Sequence, residues 1–336
     1  MNETNTQILL RSRPTGFPSE NNFEIVHTPV PQLREGEVLR RTMYLSLDPY
    51  MRGRMNAGKS YAEAANVGET MPGGTVSQVI DSKDPRFRPG DIVLGYDGWQ
   101  AFGCGDGKSL RKLNPAEARV SWSLGVLGMP GLTAYVGLLD IGKPKAGETV
   151  VVSSAAGAVG SVAGQIAKIK GCRVVGTAGS DQKCAFVKQE LGFDECINYK
   201  STDVRDALGT ACPDGIDVYF DNVGGAVLDA VLHHINLHAR IPLIGMISQY
   251  NDTSPAPGPN LSPLLVNRAL IQGMIVMDHV NRTPDFLRDV SQWLREGKLK
   301  VREDIVDGLE NAPRAFLGLL KGENTGKRIV SCVGQP

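Results

Sequence analysis

The stretch Glu148-Thr149-Val150-Val151-Val152-Ser153, continued by Ala155-Ala156-Gly157-Ala158-Val159-Gly160-Ser161-Val162-Ala163-Gly164, decides how this chain folds. Its first half is a continuous β-branched run, the composition of a strand buried on both faces. Its second half is a glycine-rich turn opening a helix, because Val159, Val162, Ala163, Ile166 and Ala167 recur at helical spacing. Strand, turn and helix in this order make A-x-G-x-x-G a version of the dinucleotide fingerprint. Gly157 lets the backbone approach a pyrophosphate, Gly160 lets the helix pack closely on the strand, and the helix N-terminus offers free N–H groups to the anion. The same glycines outside such a setting would mark no more than a tight turn.

Downstream the alternation continues. Cys172-Arg173-Val174-Val175-Gly176-Thr177 reads as a strand, Asp181 to Leu191 as a helix, and Glu195-Cys196-Ile197-Asn198-Tyr199 as a further strand. Apolar runs at Ile216 to Phe220, Ile241 to Gly245 and Ile271 to Val276 extend the series, the signature of a doubly wound parallel sheet. Upstream, residues to about 120 carry short strand-like runs at Glu37 to Met43, Gly74 to Ile80 and Asp91 to Tyr96, punctuated by Pro and Gly, which predicts a β-rich domain. The proline-rich Ser254-Pro255-Ala256-Pro257-Gly258-Pro259 predicts a mobile loop near a strand end, where ligands of such sheets bind.

The tip of the second strand predicts the cofactor. An NAD enzyme places an acid there for the ribose 2′-hydroxyl. Here the sequence is Gly176-Thr177-Ala178-Gly179-Ser180-Asp181-Gln182-Lys183, an uncharged strand end with a lysine one turn into the next helix. Lys183 is suited to a 2′-phosphate, so NADPH is expected. Asp181 could be an NAD-type acid, but its place in the first turn favours a helix cap.

Bulk properties narrow the partners. The 336 residues predict about two domains, and 41% hydrophobic with 21% charged residues describes a globular protein. Lys plus Arg (36) equals Asp plus Glu (36), so no field gathers nucleic acid or an anionic membrane. No apolar run reaches the roughly 18 residues needed to span a bilayer. The polar Met1-Asn2-Glu3 start is unlike a secretory signal. Cys104, Cys172, Cys184, Cys196, Cys212 and Cys332 are scattered, as reduced packing thiols are. A cytoplasmic enzyme of a small hydrophobic molecule is the expectation.

The chain resembles the zinc-independent medium-chain dehydrogenases/reductases of the leukotriene B4 12-hydroxydehydrogenase/15-oxoprostaglandin 13-reductase, alkenal double-bond reductase and curcumin reductase family. The resemblance is carried by Leu45-Ser46-Leu47-Asp48-Pro49-Tyr50-Met51-Arg52, Gly128-Met129-Pro130-Gly131-Leu132-Thr133-Ala134-Tyr135, the phosphate turn, Gly176-Thr177-Ala178-Gly179-Ser180, Phe220-Asp221-Asn222-Val223-Gly224-Gly225 and Gly322-Glu323-Asn324-Thr325-Gly326-Lys327. It implies a GroES-like catalytic domain from residues 1–122 and 300–336 around a Rossmann domain at 123–299, and a homodimer through the Rossmann domain. It also implies NADPH contacts at Thr133, Ala155, Gly157, Ala158, Val159, Gly160, Gly179, Lys183, Tyr199, Asn222 and Asn324.

No metal is expected. The N-terminal domain offers only Cys104 and His27 toward a catalytic zinc set of three, and His234 and His238, which would share a helix face, lack further ligands. A substrate oxygen must then be polarised by hydrogen-bond donors. A tyrosine, with an ordinary pKa near 10, keeps its proton at neutral pH. Tyr250 follows a predicted strand and precedes the proline-rich loop, while Tyr50 could face it from the other domain. The expected reaction is hydride transfer to the β-carbon of an enone or enal, with Tyr250 and the nicotinamide ribose hydroxyl stabilising the enolate. Alternatives are a zinc-less NADPH quinone reductase on the same scaffold and a non-catalytic NADPH-binding regulatory protein.

Overall fold

Val150, Val151 and Val152 are fully buried at the centre of a six-stranded parallel sheet. Burying a side chain of this kind is worth about 1.5–3 kcal/mol, so such a run holds its strand in the interior. The strands run in the order Glu195–Asn198, Arg173–Ala178, Thr149–Val152, Ile216–Phe220, Ile235–Leu243 and Leu270–Gly273. This is the doubly wound order, and its direction reverses between Thr149–Val152 and Ile216–Phe220. The residues after those two strands, from Ser153 and from Asp221, therefore lead the carboxyl edge where a ligand binds. Helices Gly160–Ile169, Asp181–Gln189, Val204–Ala211 and Gly225–Leu232 follow the first four strands in chain order. The first buries Val162, Ala163, Ile166 and Ala167, the face that the apolar spacing predicts.

The computed structural model describes residues 4–254 and 257–332; Met1, Asn2, Glu3, Pro255 and Ala256, used in the sequence analysis, lie outside them. The chain divides into two units. One takes the chain up to Leu124, then Glu303–Asn324 and the chain from Arg328 on; the other takes Gly125–Arg302 and Thr325–Lys327. The last three residues join the sheet unit because the Gly326 N–H donates to Ala156 O at 2.7 Å and the Lys327 N–H to Arg302 O at 2.9 Å.

The remaining unit is built on a seven-stranded sheet. In space its order is Glu303–Asp307, Lys327–Ser331, Glu37–Ser46, Thr75–Ser82, Ile92–Gly95 and Arg111–Leu113, with Phe102–Asp106 also paired to Glu37–Ser46. Trp99, fully buried, stacks on Phe23 at 5.6 Å and meets Phe316 edge-on at 5.6 Å. Residues from both ends of the chain thus share one aromatic core, which is why the Rossmann segment is an insert.

One local expectation is corrected. His234 and His238 do not share a helix face. The strand starts at Ile235 rather than at the apolar run from Ile241, and its pairing jumps from Ile216↔Ile235 to Val218↔Arg240. The extra residues bulge outward at Leu237 and His238, both exposed, with His238 left-handed at φ 62° and its N–H donating to Asn267 O at 2.7 Å. Such a bulge breaks the period-two alternation that would have revealed the strand.

Candidate active site

The phosphate turn is wrapped around one carbonyl. Ser154 takes a left-handed conformation (φ 53°) after the first strand, and its C=O accepts the Gly157 N–H at 2.9 Å. A Cβ on Gly160 would lie 2.3 Å from that same oxygen, so only glycine lets the helix start here. Ala155 is fully buried with its N–H donating to Thr177 O at 3.0 Å, which ties the turn to the second strand. No side chain caps the helix that begins at Gly160; the Ser161 N–H donates to Gly157 O at 3.0 Å, which leaves the N–H groups of the turn residues ahead of it as those an anion would meet. This backbone cradle and positive helix end fit a pyrophosphate.

At the second strand's tip the fit favours a phosphorylated ribose. Ser180 is the cap of the following helix, accepting the Lys183 N–H at 3.2 Å. This replaces the expected Asp181 cap, because Asp181 begins the helix proper and its carboxylate accepts from Asn198 Nδ2 at 2.8 Å. The one acid near the tip is thus engaged with the neighbouring strand. A Cβ on Gly179 would lie 2.9 Å from the Tyr199 hydroxyl and 3.4 Å from Lys200 Cε, so glycine admits both side chains there. Lys200 is a cation that sequence reading missed, since it lies outside the fingerprint spacing.

The switch point carries a third cluster. Asn222 donates its N–H to Ser153 Oγ at 2.8 Å and its carboxamide to Ser153 O at 2.7 Å. Asp221, buried beside it, accepts on Oδ1 from the Tyr219 hydroxyl at 2.8 Å, Ser153 Oγ at 3.2 Å, and the Val223 and Gly224 N–H groups at 2.9 Å each. Burial pushes its carboxyl up, against the pull of those donors. After the next strand, the turn Ile247–Gln249 leads to Tyr250. The Tyr250 hydroxyl accepts the Met246 N–H at 3.4 Å and lies 3.1 Å from where a Cβ on Gly245 would be. Burial raises its pKa above the ordinary tyrosine value, so it keeps its proton throughout the neutral range. Thr133 is buried on helix Met129–Val136, its hydroxyl spent on Met129 O at 2.8 Å.

The other unit holds Tyr50 and Asn324. Tyr50 precedes the short helix Met51–Arg54, and its hydroxyl is 2.8 Å from that of Tyr96. Arg54 in turn donates to the Tyr96 hydroxyl at 2.9 Å. Burial, with the Asp48 charge second, raises the Tyr50 pKa. Tyr96 and Arg54 are residues that sequence reading missed, since no motif spacing marks them. Asn324 is buried, 8% exposed. Among the described residues no three His, Cys, Asp or Glu side chains come together as a metal site, and no helix is long and apolar enough to cross a membrane.

Residues 6–113 match a family described as the N-terminal domain of oxidoreductase, and residues 158–292 one described as zinc-binding dehydrogenase. The chain is 50% identical to NADPH-dependent curcumin reductase of Escherichia coli, over 99% of this chain and 98% of that protein. It is 47% identical to prostaglandin reductase 1 of Rattus norvegicus, over 96% and 97% of the two chains. The crystal structure of CurA in complex with NADPH from Vibrio vulnificus superposes with a TM-score of 0.94 at 51% identity, covering 98% of this chain and all of that one. With the fold, the phosphate turn and this identity along the whole length, the chain belongs to the NADPH-dependent reductases of medium-chain dehydrogenase fold that include curcumin reductase and prostaglandin reductase 1.

Proposed function

We propose that the chain reduces the carbon–carbon double bond of α,β-unsaturated ketones or aldehydes, with Tyr250 as the donor to the developing enolate and Tyr50 as a second donor. The observation that carries this is the Tyr250 hydroxyl. A backbone N–H occupies one of its lone pairs, burial holds its proton on, and it stands at the carboxyl edge of the sheet. Ala155, Gly157, Ala158, Val159 and Gly160 would hold the cofactor's pyrophosphate, Gly179, Lys183 and Tyr199 its 2′-phosphorylated ribose, and Thr133, Asn222 and Asn324 further parts of it. When bound, NADPH supplies the hydride that adds to the β-carbon of the substrate. The electron pair displaced from the double bond moves onto the carbonyl oxygen, where the Tyr250 O–H donates. The α-carbon then takes a proton from solvent or a nearby donor.

The test is NADPH consumption with enals, enones and quinones, with products identified by mass spectrometry. Saturated ketones or aldehydes are expected. Hydroquinones alone would overturn the reading in favour of a quinone reductase, and no turnover at all in favour of a non-catalytic binding protein. Purified protein is expected to carry no stoichiometric zinc and to keep its activity in a chelator. About one zinc per chain, lost together with activity, would contradict this.

The same reading proposes a homodimer through the sheet unit. Its edge strand Leu270–Gly273 is flanked by exposed apolar side chains, with Leu265 82% and Met277 67% accessible and Leu261, Val266, Leu270 and Val280 also exposed. An open strand edge beside apolar surface suits a second copy. Light scattering should give twice the chain mass, and Leu265→Glu with Met277→Glu should shift it toward the single chain. A monomeric parent protein would rule the dimer out. Six free cysteines support a reducing compartment such as the cytoplasm.

A further inference from the structure

We propose that Asp221 is a positioning residue, which acts through Ser153 on Asn222 and through Asn222 on the turn that carries Tyr250. This rests on the reading above that Asn222 contacts the cofactor and Tyr250 the substrate. The local observation is a convergence of four donors on one carboxylate oxygen. Two of them, the Val223 and Gly224 N–H groups, fold the turn after the fourth strand, where Gly224 and Gly225 take positive φ of 68° and 55°. A turn staple would need no more than these. The other two come from Tyr219 and from Ser153, which stands at the end of the neighbouring strand across the switch point.

Ser153 is the link. Its hydroxyl accepts the Asn222 N–H and has two acceptors for its one proton, Asp221 Oδ1 at 3.2 Å and Phe220 O at 3.4 Å, so the closer and charged carboxylate favours the orientation that leaves a lone pair toward Asn222. With the hydroxyl so oriented and Ser153 O receiving the carboxamide at 2.7 Å, Asn222 is held by main chain and side chain at once. The frame then continues. Asn222 O accepts the Ile247 N–H at 3.3 Å, and Val223 O accepts both the Ser248 N–H at 3.2 Å and its hydroxyl at 2.6 Å. Asp221's own carbonyl accepts Ile244 and Gly245 N–H at 2.8 and 3.2 Å. Ile247 and Ser248 of the turn before Tyr250, and Ile244 and Gly245 just past the strand end, are thus fastened to the Asp221–Val223 segment.

The other carboxylate oxygen takes no part in the turn. Asp221 Oδ2 is buried with no hydrogen-bond partner among the described residues.

The experiment is a double-mutant cycle read by NADPH affinity, measured from cofactor fluorescence, and by melting temperature of the cofactor-free protein. Asp221→Asn and, as a milder variant that keeps the turn staple, Ser153→Ala are each expected to raise the NADPH Kd about five- to tenfold. In an Asn222→Ala background the same changes should raise it by less than about twofold, because their route is already cut. With saturating NADPH they should lower kcat with substrate KM within about twofold, and this loss should shrink in a Tyr250→Phe background. Additive losses in Kd, or a lower melting temperature with Kd and kcat unchanged, would reduce Asp221 to a structural staple and overturn the proposal while leaving the Asn222 reading intact. An Asn222→Ala protein that binds NADPH like the parent would instead overturn the Asn222 reading, and with it the route from Asp221. If Asp221→Asn does not fold, Ser153→Ala decides alone by the same criteria.

Discussion

Replacing Tyr250 with Phe is expected to lower turnover in alkene reduction about ten- to a hundredfold while leaving NADPH affinity within about twofold. Phe keeps the ring, so the partly buried packing around Gly245 and Met246 survives, and only the hydroxyl is removed. Losing an oxyanion donor that acts alone costs on the order of a hundred- to a thousandfold. A second donor to the same oxygen would share the load, which sets the smaller figure. The loss should fall on kcat, because the bond is made to charge that develops only as the hydride is transferred. The pH profile carries a second signature. Since burial raises the Tyr250 pKa, its donor form persists on the alkaline side, and the parent enzyme should show no decline from this group as pH rises to about 9. Turnover within about twofold of the parent, a change below roughly 0.4 kcal/mol, would make Tyr250 a wall residue and place the enolate donor elsewhere.

Replacing Lys183 with Ala is expected to weaken NADPH binding about ten- to a hundredfold and NADH binding little. A charge-assisted contact is worth about 1.5–3 kcal/mol, which converts to that range. The local structure supports the assignment, because the second strand ends in uncharged residues and Asp181 is held by Asn198 rather than left to a ribose hydroxyl. Lys200, close to Gly179, sets a test of its own. If it shares the 2′-phosphate, Lys183→Ala falls at the low end and the Lys183→Ala/Lys200→Ala pair at the high end. Equal losses for NADPH and NADH would remove the 2′-phosphate from this corner of the sheet.

Much of this was legible in the chain because it is written in local chemistry. A run of valines has one low-energy place in a protein of this class, the middle of a parallel sheet, and a helix that must start against a carbonyl admits only Gly160. The uncharged strand tip and Lys183 are likewise local, and so are the alternating strands and helices that define the fold. The bulged strand at His238 was not legible, because its extra residues destroy the alternation by which a strand is read. The cap at Ser180 was misread as Asp181 because both are good caps and only the backbone geometry separates them.

The sequence by itself determined the fold class, the phosphate turn and the family to which the chain belongs, since each depends on residues close together along the chain. The tertiary structure decided what lies side by side: Ser153 with Asp221 and Asn222, Gly179 with Tyr199 and Lys200, and Tyr50 with Tyr96 and Arg54. These groupings join positions from 20 to nearly 70 residues apart, and no local propensity encodes which partners strand order and crossover connections bring to one edge.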